Sequence, residues 1–177
     1  SLFTLTTRAL ILWKVCKPCS STGGGRVPNF QQEFLATAAT DAKDLLELHW
    51  DEIAINKEKI KLNPHWEAYV DLEDAGQLRI FTARENGKLI GYFVVIVGIN
   101  LHYKDHVFAV NDILYLHKSW RRGLTGVKLI KFAEKCLKLD GVSVMSINTK
   151  THRPFDSLMS YLKYNMVERV YQKYIGD

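Results

Sequence analysis

Two periods of apolar residues alternate along the chain. The stretch DAKDLLELHWDEIAI, from Asp41, repeats at three- and four-residue intervals, bringing Ala42, Leu45, Leu46, His49 and Ile53 to one face with Asp41 as an N-cap. A first helix is predicted there. In HWEAYVDLEDAG, after Pro64, Trp66, Tyr69, Val70 and Glu73 recur at the same spacing and Gly76 supplies the stop. This is a second, shorter helix. Beyond Gly126, VKLIKFAEKCLKLDG puts Leu129, Ile130, Ala133, Cys136 and Leu137 on one face and Lys128, Lys131, Lys135 and Lys138 on another, a solvated stripe on an amphipathic helix.

Between these helices the pattern changes to strands. QLRIFTARE and KLIGYFVVIVGI flank Asn86-Gly87, the dipeptide that best takes the two positive φ angles of a type I′ turn, so they form an antiparallel hairpin. A loop, GINLHYKD, leads to a strand from His106 to Leu116, and VSVMSIN follows the lysine-striped helix as another. A strand, helix, strand order implies a right-handed crossover and a parallel pair. NFQQEFLATA reads as a first strand, HRPFDSLMSYLKY as a short helix and MVERVYQKY as a closing strand. The fold class is α/β in the mixed α+β sense: a mostly antiparallel sheet of about six or seven strands flanked by helices.

Composition narrows this picture. The 177 residues are 47% hydrophobic, enough for one domain with a substantial core. The net charge of +5 and pI near 9.0 invite a nucleic-acid partner. However, Arg8, Lys14, Lys17 and Arg26 supply +4 of it before residue 27, leaving +1 for the rest. Nucleic acid is therefore not the expected partner. Residues 1–26, ending in a flexible SSTGGG joint, read as an appendage or an artificially added leader, and 27–177 as the folded domain. The apolar run Ala9 to Val15 is far shorter than the roughly 20 residues that span a bilayer, so no membrane association is expected. Cys16 and Cys19 have no second pair at zinc-finger spacing, so no metal is expected, and so few cysteines suit a reducing, cytoplasmic setting.

The richest short stretch is WRRGLTG, Trp120 to Gly126, where a strand hands over to a helix. The first amides of a helix lack internal partners and, with the helix dipole, attract anions. Glycines there let an anion approach the backbone, and Arg121 and Arg122 add charge-assisted donors suited to phosphate oxygens. The spacing fits neither a dinucleotide fingerprint nor a P-loop. A pyrophosphate cradle and a solvated corner both remain open from these residues alone.

In this setting the chain resembles the GNAT-type N-acetyltransferase superfamily, whose acetyl-CoA loop reads (Gln/Arg)-x-x-Gly-x-(Gly/Ala). Arg121 and Gly126 match its ends, and Leu124 replaces its central glycine. The resemblance runs from about Asn29 to Tyr174, and NDILYLHKSWRRGLTGVKLIKFAE is also similar to the variant found in phage genomes. It implies acetyl-CoA as co-substrate, bound by the backbone of Ile113, Leu114, Tyr115 and Leu116 along a splayed parallel pair. Arg121, Arg122, Gly123, Leu124, Thr125, Gly126 and Val127 would hold the pyrophosphate, with Asn148 on the strand that splays away. The implied reaction moves an acetyl group to a primary amine, on a small molecule or a protein, by direct attack on the thioester. The enzyme would act in the cytoplasm, of a host cell if phage-encoded, as a monomer or homodimer.

Asp112 occupies a position where the family often carries an acidic base. The alternative is a partly buried Asp held by backbone donors or capping a bulge. The family's acid is often a Tyr in a Tyr-x-Lys-x-Gly-Phe pattern, and here Met159 stands in its place, leaving Tyr161 either as a substitute acid or as a core or surface tyrosine. Glu47, His49, Trp50, Asp51, Glu52, His65 and Trp66 of the first two helices, bordered by His102, Tyr103 and His106, are candidates for holding a cationic amine by charge and cation–π contact, against the simpler reading of core indoles and a solvated acidic face. The departures at Leu124 and Met159 also leave room for a catalytically weak or inactive CoA-binding protein.

Overall fold

The computed structural model describes residues 28–176, in the order β1 (Asn29–Glu33), α1 (Leu35–Ile53), α2 (Trp66–Asp74), β2 (Leu78–Glu85), β3 (Lys88–Asn100), β4 (Tyr103–Leu116), a 3-10 turn (Lys118–Trp120), α3 (Thr125–Leu139), β5 (Val142–Ser146) and α4 (Asp156–Tyr161). The leader expected at 1–26 lies outside the described residues. The strands form one sheet in the order β1-β2-β3-β4-β5, antiparallel except for the β4–β5 pair, which α3 connects. This is the mixed, mostly antiparallel sheet that the hydrophobic pattern predicts, with five strands among the described residues where about six or seven are expected. Asn86 and Gly87 have φ of 49° and 83°, as the type I′ hairpin turn requires.

Three boundaries differ from expectation. Helix α1 begins at Leu35, not at Asp41, because the alanine-rich run after Phe34 is strongly helix-forming and places Leu35, Ala38 and Ala42 in line with Leu45. Its free first amide, on Leu35, donates to Glu73 Oε1 of α2 at 2.7 Å, a cap supplied from another helix. The loop expected before β4 is a tight turn instead: β3 runs to Asn100, whose side chain accepts from the His102 amide at 2.9 Å, and β4 starts at Tyr103. Finally, MVERVYQKY forms no strand. Apolar and polar residues alternate there in pairs, so either face of a strand would mix the two kinds, and Met166, Val167, Val170 and Tyr171 stay exposed.

The sheet buries both faces. On one, Leu129, Ile130, Phe132, Ala133, Cys136 and Leu137 of α3 cover Phe81, Phe93, Val95 and Ala109, and Phe132 meets Phe81 edge-on with centroids 6.1 Å apart. On the other, Leu35, Ala38, Ala42 and Leu45 of α1 face Leu78, Ile80, Tyr92, Val94 and Tyr115. Each fully buried large side chain contributes roughly 1.5–3 kcal/mol. Asp41, no longer a cap, accepts from Arg84 Nη1 at 2.7 Å, while the same guanidinium holds both oxygens of Glu33 at 2.7 and 2.8 Å. One buried arginine thus ties β1, β2 and α1 together.

Candidate functional site

Strands β4 and β5 pair only from Val107↔Val142 to Val110↔Ser146, after which β5 ends while β4 runs on to Leu116. At the fork the Asn111 side chain clasps the Asn148 backbone, accepting from its N–H at 2.6 Å and donating to its carbonyl at 3.3 Å. The clasp ends the ladder and engages the backbone of Asn148. Beyond it, among the described residues, β4 has an open edge. The His117 amide donates to the Ile90 carbonyl on β3, so by the alternation of an antiparallel ladder Leu114 and Leu116 turn their backbone groups to the open side. Gly91 lets the strands approach this closely, because a Cβ there would lie 2.7 Å from Leu116 Cδ1 and 2.9 Å from the Tyr115 carbonyl.

The open edge leads to the start of α3. Residues 121–124 are all exposed, Gly123 takes a φ of 92°, and among the described residues no side chain caps the helix, whose N-cap residue is Leu124. Leu124 is half exposed and does not pack into the core. The amides of the first turn are therefore unpaired within the helix and face an accessible corner. Thr125 and Val127 turn their side chains inward, and Gly126 lies against Leu116 and Leu158.

The two arginines differ in role. Arg121 folds back toward α1: its guanidinium grips both Glu52 oxygens at 2.5 and 2.7 Å, its Nε donates to the Leu116 carbonyl at 2.7 Å, and it stacks over the Tyr115 ring at 5.0 Å. Its hydrogen bonds hold the Glu52 carboxyl below the ordinary carboxylate value. Arg121 thus organises the corner from behind, and Arg122 is the guanidinium left at its exposed front.

A bulge places the chemistry. Val94 pairs with Ile113 and Val95 with Asn111, so Asp112 between them has no partner on β3. The freed Asp112 is exposed and accepts from the Tyr69 hydroxyl of α2 at 2.5 Å. Burial and the neighbouring carboxylate raise the Tyr69 hydroxyl well above its ordinary value, keeping it protonated. Sequence reasoning found Asp112 but not Tyr69, whose helical spacing marked only packing.

Beside this pair lies a cavity of about 330 Å³ between α1, residues 60–66, α2 and the sheet. Trp50, Trp66, Tyr69, Tyr92 and Ile113 line it. Of the residues expected to hold an acceptor, Trp50 and Trp66 are in this lining. Glu47 is exposed on α1 and is not part of it. Tyr103 stacks on Phe108 at the first residues of β4, nine positions before Asp112. Tyr161 is exposed on α4 with Lys131 Nζ 5.8 Å from its ring, while Met159 packs against the core. Among the described residues no group of His, Cys, Asp and Glu is placed to hold a metal ion, and no helix is long and apolar enough to cross a membrane.

Behind the cavity, His49 of α1 is buried, bonds the Tyr92 hydroxyl through Nδ1 at 2.8 Å and stacks on Tyr115 with centroids 4.7 Å apart. Burial lowers its pKa from 6.5 to about 4, so it is neutral at physiological pH. Burial likewise raises the Tyr92 and Tyr115 hydroxyls.

The sequence matches no protein-family model and no curated relative. Solved structures do match. A transcriptional regulator from Bacillus halodurans C-125 aligns at 15% identity over 84% of this chain and 100% of its own, with a TM-score of 0.66. Aminoglycoside N-acetyltransferase AAC(6')-Iy, in complex with CoA, aligns at 18% identity over 84% and 96%, with a TM-score of 0.62. Ribosomal-protein-alanine N-acetyltransferase from Brucella melitensis biovar Abortus 2308 aligns at 16% over 85% and 99%, with a TM-score of 0.60. The chain has the GNAT-type acetyltransferase fold. None of the three supports the phage-type variant.

Proposed function

We propose that this chain is an acetyl-CoA-dependent N-acetyltransferase that acts on a primary amine by direct attack on the thioester. One observation carries the reading: among the described residues the open edge of β4 leads into a first turn of α3 that no side chain caps, with the Leu116 carbonyl at the junction taken by Arg121 Nε. Such an arrangement offers a long, thin ligand ending in a diphosphate backbone donors and acceptors along its arm, then helix amides and Arg122 at its anionic end. Leu114 through its outward N–H and carbonyl, and Leu116 through its N–H, its carbonyl being held by Arg121, would bind the arm, and Gly123 to Val127 the diphosphate. Bound acetyl-CoA supplies the activated acyl group.

Asp112 is the general base, taking a proton from the amine as its nitrogen bonds the thioester carbonyl carbon. Tyr69 fixes the carboxylate that does this. The carbon–sulfur bond then breaks and the thiolate takes its proton from water, so the outward position of Tyr161 does not prevent turnover. Thiol release from acetyl-CoA across an amine panel tests the reading, with Asp112→Asn expected to abolish most of it while CoA still binds. CoA binding with no thiol release from any amine would favour instead a binding protein of the same fold, a reading to which the engagement of Arg121 by Glu52 lends support.

A further inference from the structure

The cavity beside Asp112 is unusual in its chemistry for a site that would receive an amine. Its lining from α1 is Leu35, Ala38, Ala39, Ala42, Leu46 and Trp50, and the sheet adds Ile80, Leu89, Val94 and Ile113. The three alanines set its depth, since each presents only a methyl group where neighbouring positions carry Leu. Among the described residues Lys61 is the one formal charge in the lining, and no carboxylate contributes to it. Residues 60–66 form one wall with Ile60, Leu62 and Trp66, all large, apolar and more than a third exposed. Such a cavity gains by burying apolar surface and offers a polycation nothing to pair with.

We infer that the acceptor is a primary amine on an aromatic or alkyl body with a single positive charge, its body in the cavity and its nitrogen at Asp112. The inference rests on the transferase reading for its catalytic half and on the cavity alone for its binding half. The cavity, Tyr69 and Asp112 are contiguous: Tyr69 lines the cavity and its hydroxyl touches the carboxylate. An amine held by its apolar body therefore meets the base without needing an acidic anchor of its own. Polyamines and aminosugars, which need several carboxylates or hydroxyl partners, fit poorly.

The experiment compares 2-phenylethylamine and n-octylamine with spermidine and glucosamine, using thiol release from acetyl-CoA and the fluorescence of Trp50 and Trp66 as separate readouts. The apolar amines are expected to saturate the fluorescence change and to exceed the polar ones at least about tenfold in kcat/KM, the usual value of one or two well-buried methylenes. Ala42→Leu should fill the cavity and remove both effects. Lys61→Glu, at an exposed position that leaves folding intact, should raise spermidine turnover. Fluorescence binding that Ala42→Leu abolishes, without thiol release from any amine, supports the cavity assignment and overturns the transferase reading. Thiol release with spermidine or glucosamine equal to that with the apolar amines overturns the inference and leaves the transferase. Absence of any fluorescence response to the apolar amines overturns the inference whatever the activity.

Discussion

The two faces of the sheet bury similar residues to opposite ends. Against α3, large side chains interlock: Phe81, Phe93 and Leu129 are completely covered. Against α1 and α2, alanines stand where a filled core would place larger groups, and a cavity with buried His49, Tyr92 and Tyr115 at its back remains. One face holds the fold together. The other is kept open, and the strand carrying Asp112 contributes to both. The difference teaches where ligand chemistry belongs: a packed layer provides the rigidity against which a hollow layer can be maintained.

Substitutions can break this asymmetry in order of expected effect. Phe93→Ala, in the filled layer, should cost about 3–5 kcal/mol in urea unfolding, whereas Ala42→Leu in the hollow layer should cost far less. Acid should act next, on the hollow side. The folded value of His49 near 4 lies below its ordinary 6.5, so unfolded chains bind the extra proton between those limits. Stability from keeping this histidine neutral is complete above pH 6.5 and drains as pH falls toward 4, by up to ~3 kcal/mol. A His49→Gln variant should have a flatter stability profile across that interval. Asp112→Asn should lower kcat about 100-fold with CoA affinity unchanged. Tyr69→Phe should lower kcat by less and move the pH dependence of turnover, which a purely packing tyrosine would leave in place. Arg122→Ala should weaken CoA binding about tenfold. Arg121→Ala should weaken it less, acting through the release of Glu52 and measurable as a small loss of thermal stability.

Local chemistry carried most of the fold. Asn86-Gly87 specified a hairpin turn, and the face formed by Leu129, Ile130, Ala133, Cys136 and Leu137 specified α3, because each depends on neighbours within a few residues. Leu35 was harder to place as a helix start because its amide is capped by Glu73, 38 residues away. Along the site the same division holds. Asp112 and the WRRGLTG corner stood out by residue type, but the partners that give them meaning come from distant segments. Tyr69 reaches Asp112 across 43 positions and Glu52 reaches Arg121 across 69, so neither could be assigned by spacing. The bulge that frees Asp112 is a property of strand pairing and leaves no mark in the residues themselves.

The most direct measurement is a calorimetric titration of CoA into the full chain. The β4 edge and α3 amides predict one saturable site per chain, weakened about tenfold by Arg122→Ala and unaffected by Asp112→Asn. Absence of binding, or binding indifferent to Arg122, would contradict the account.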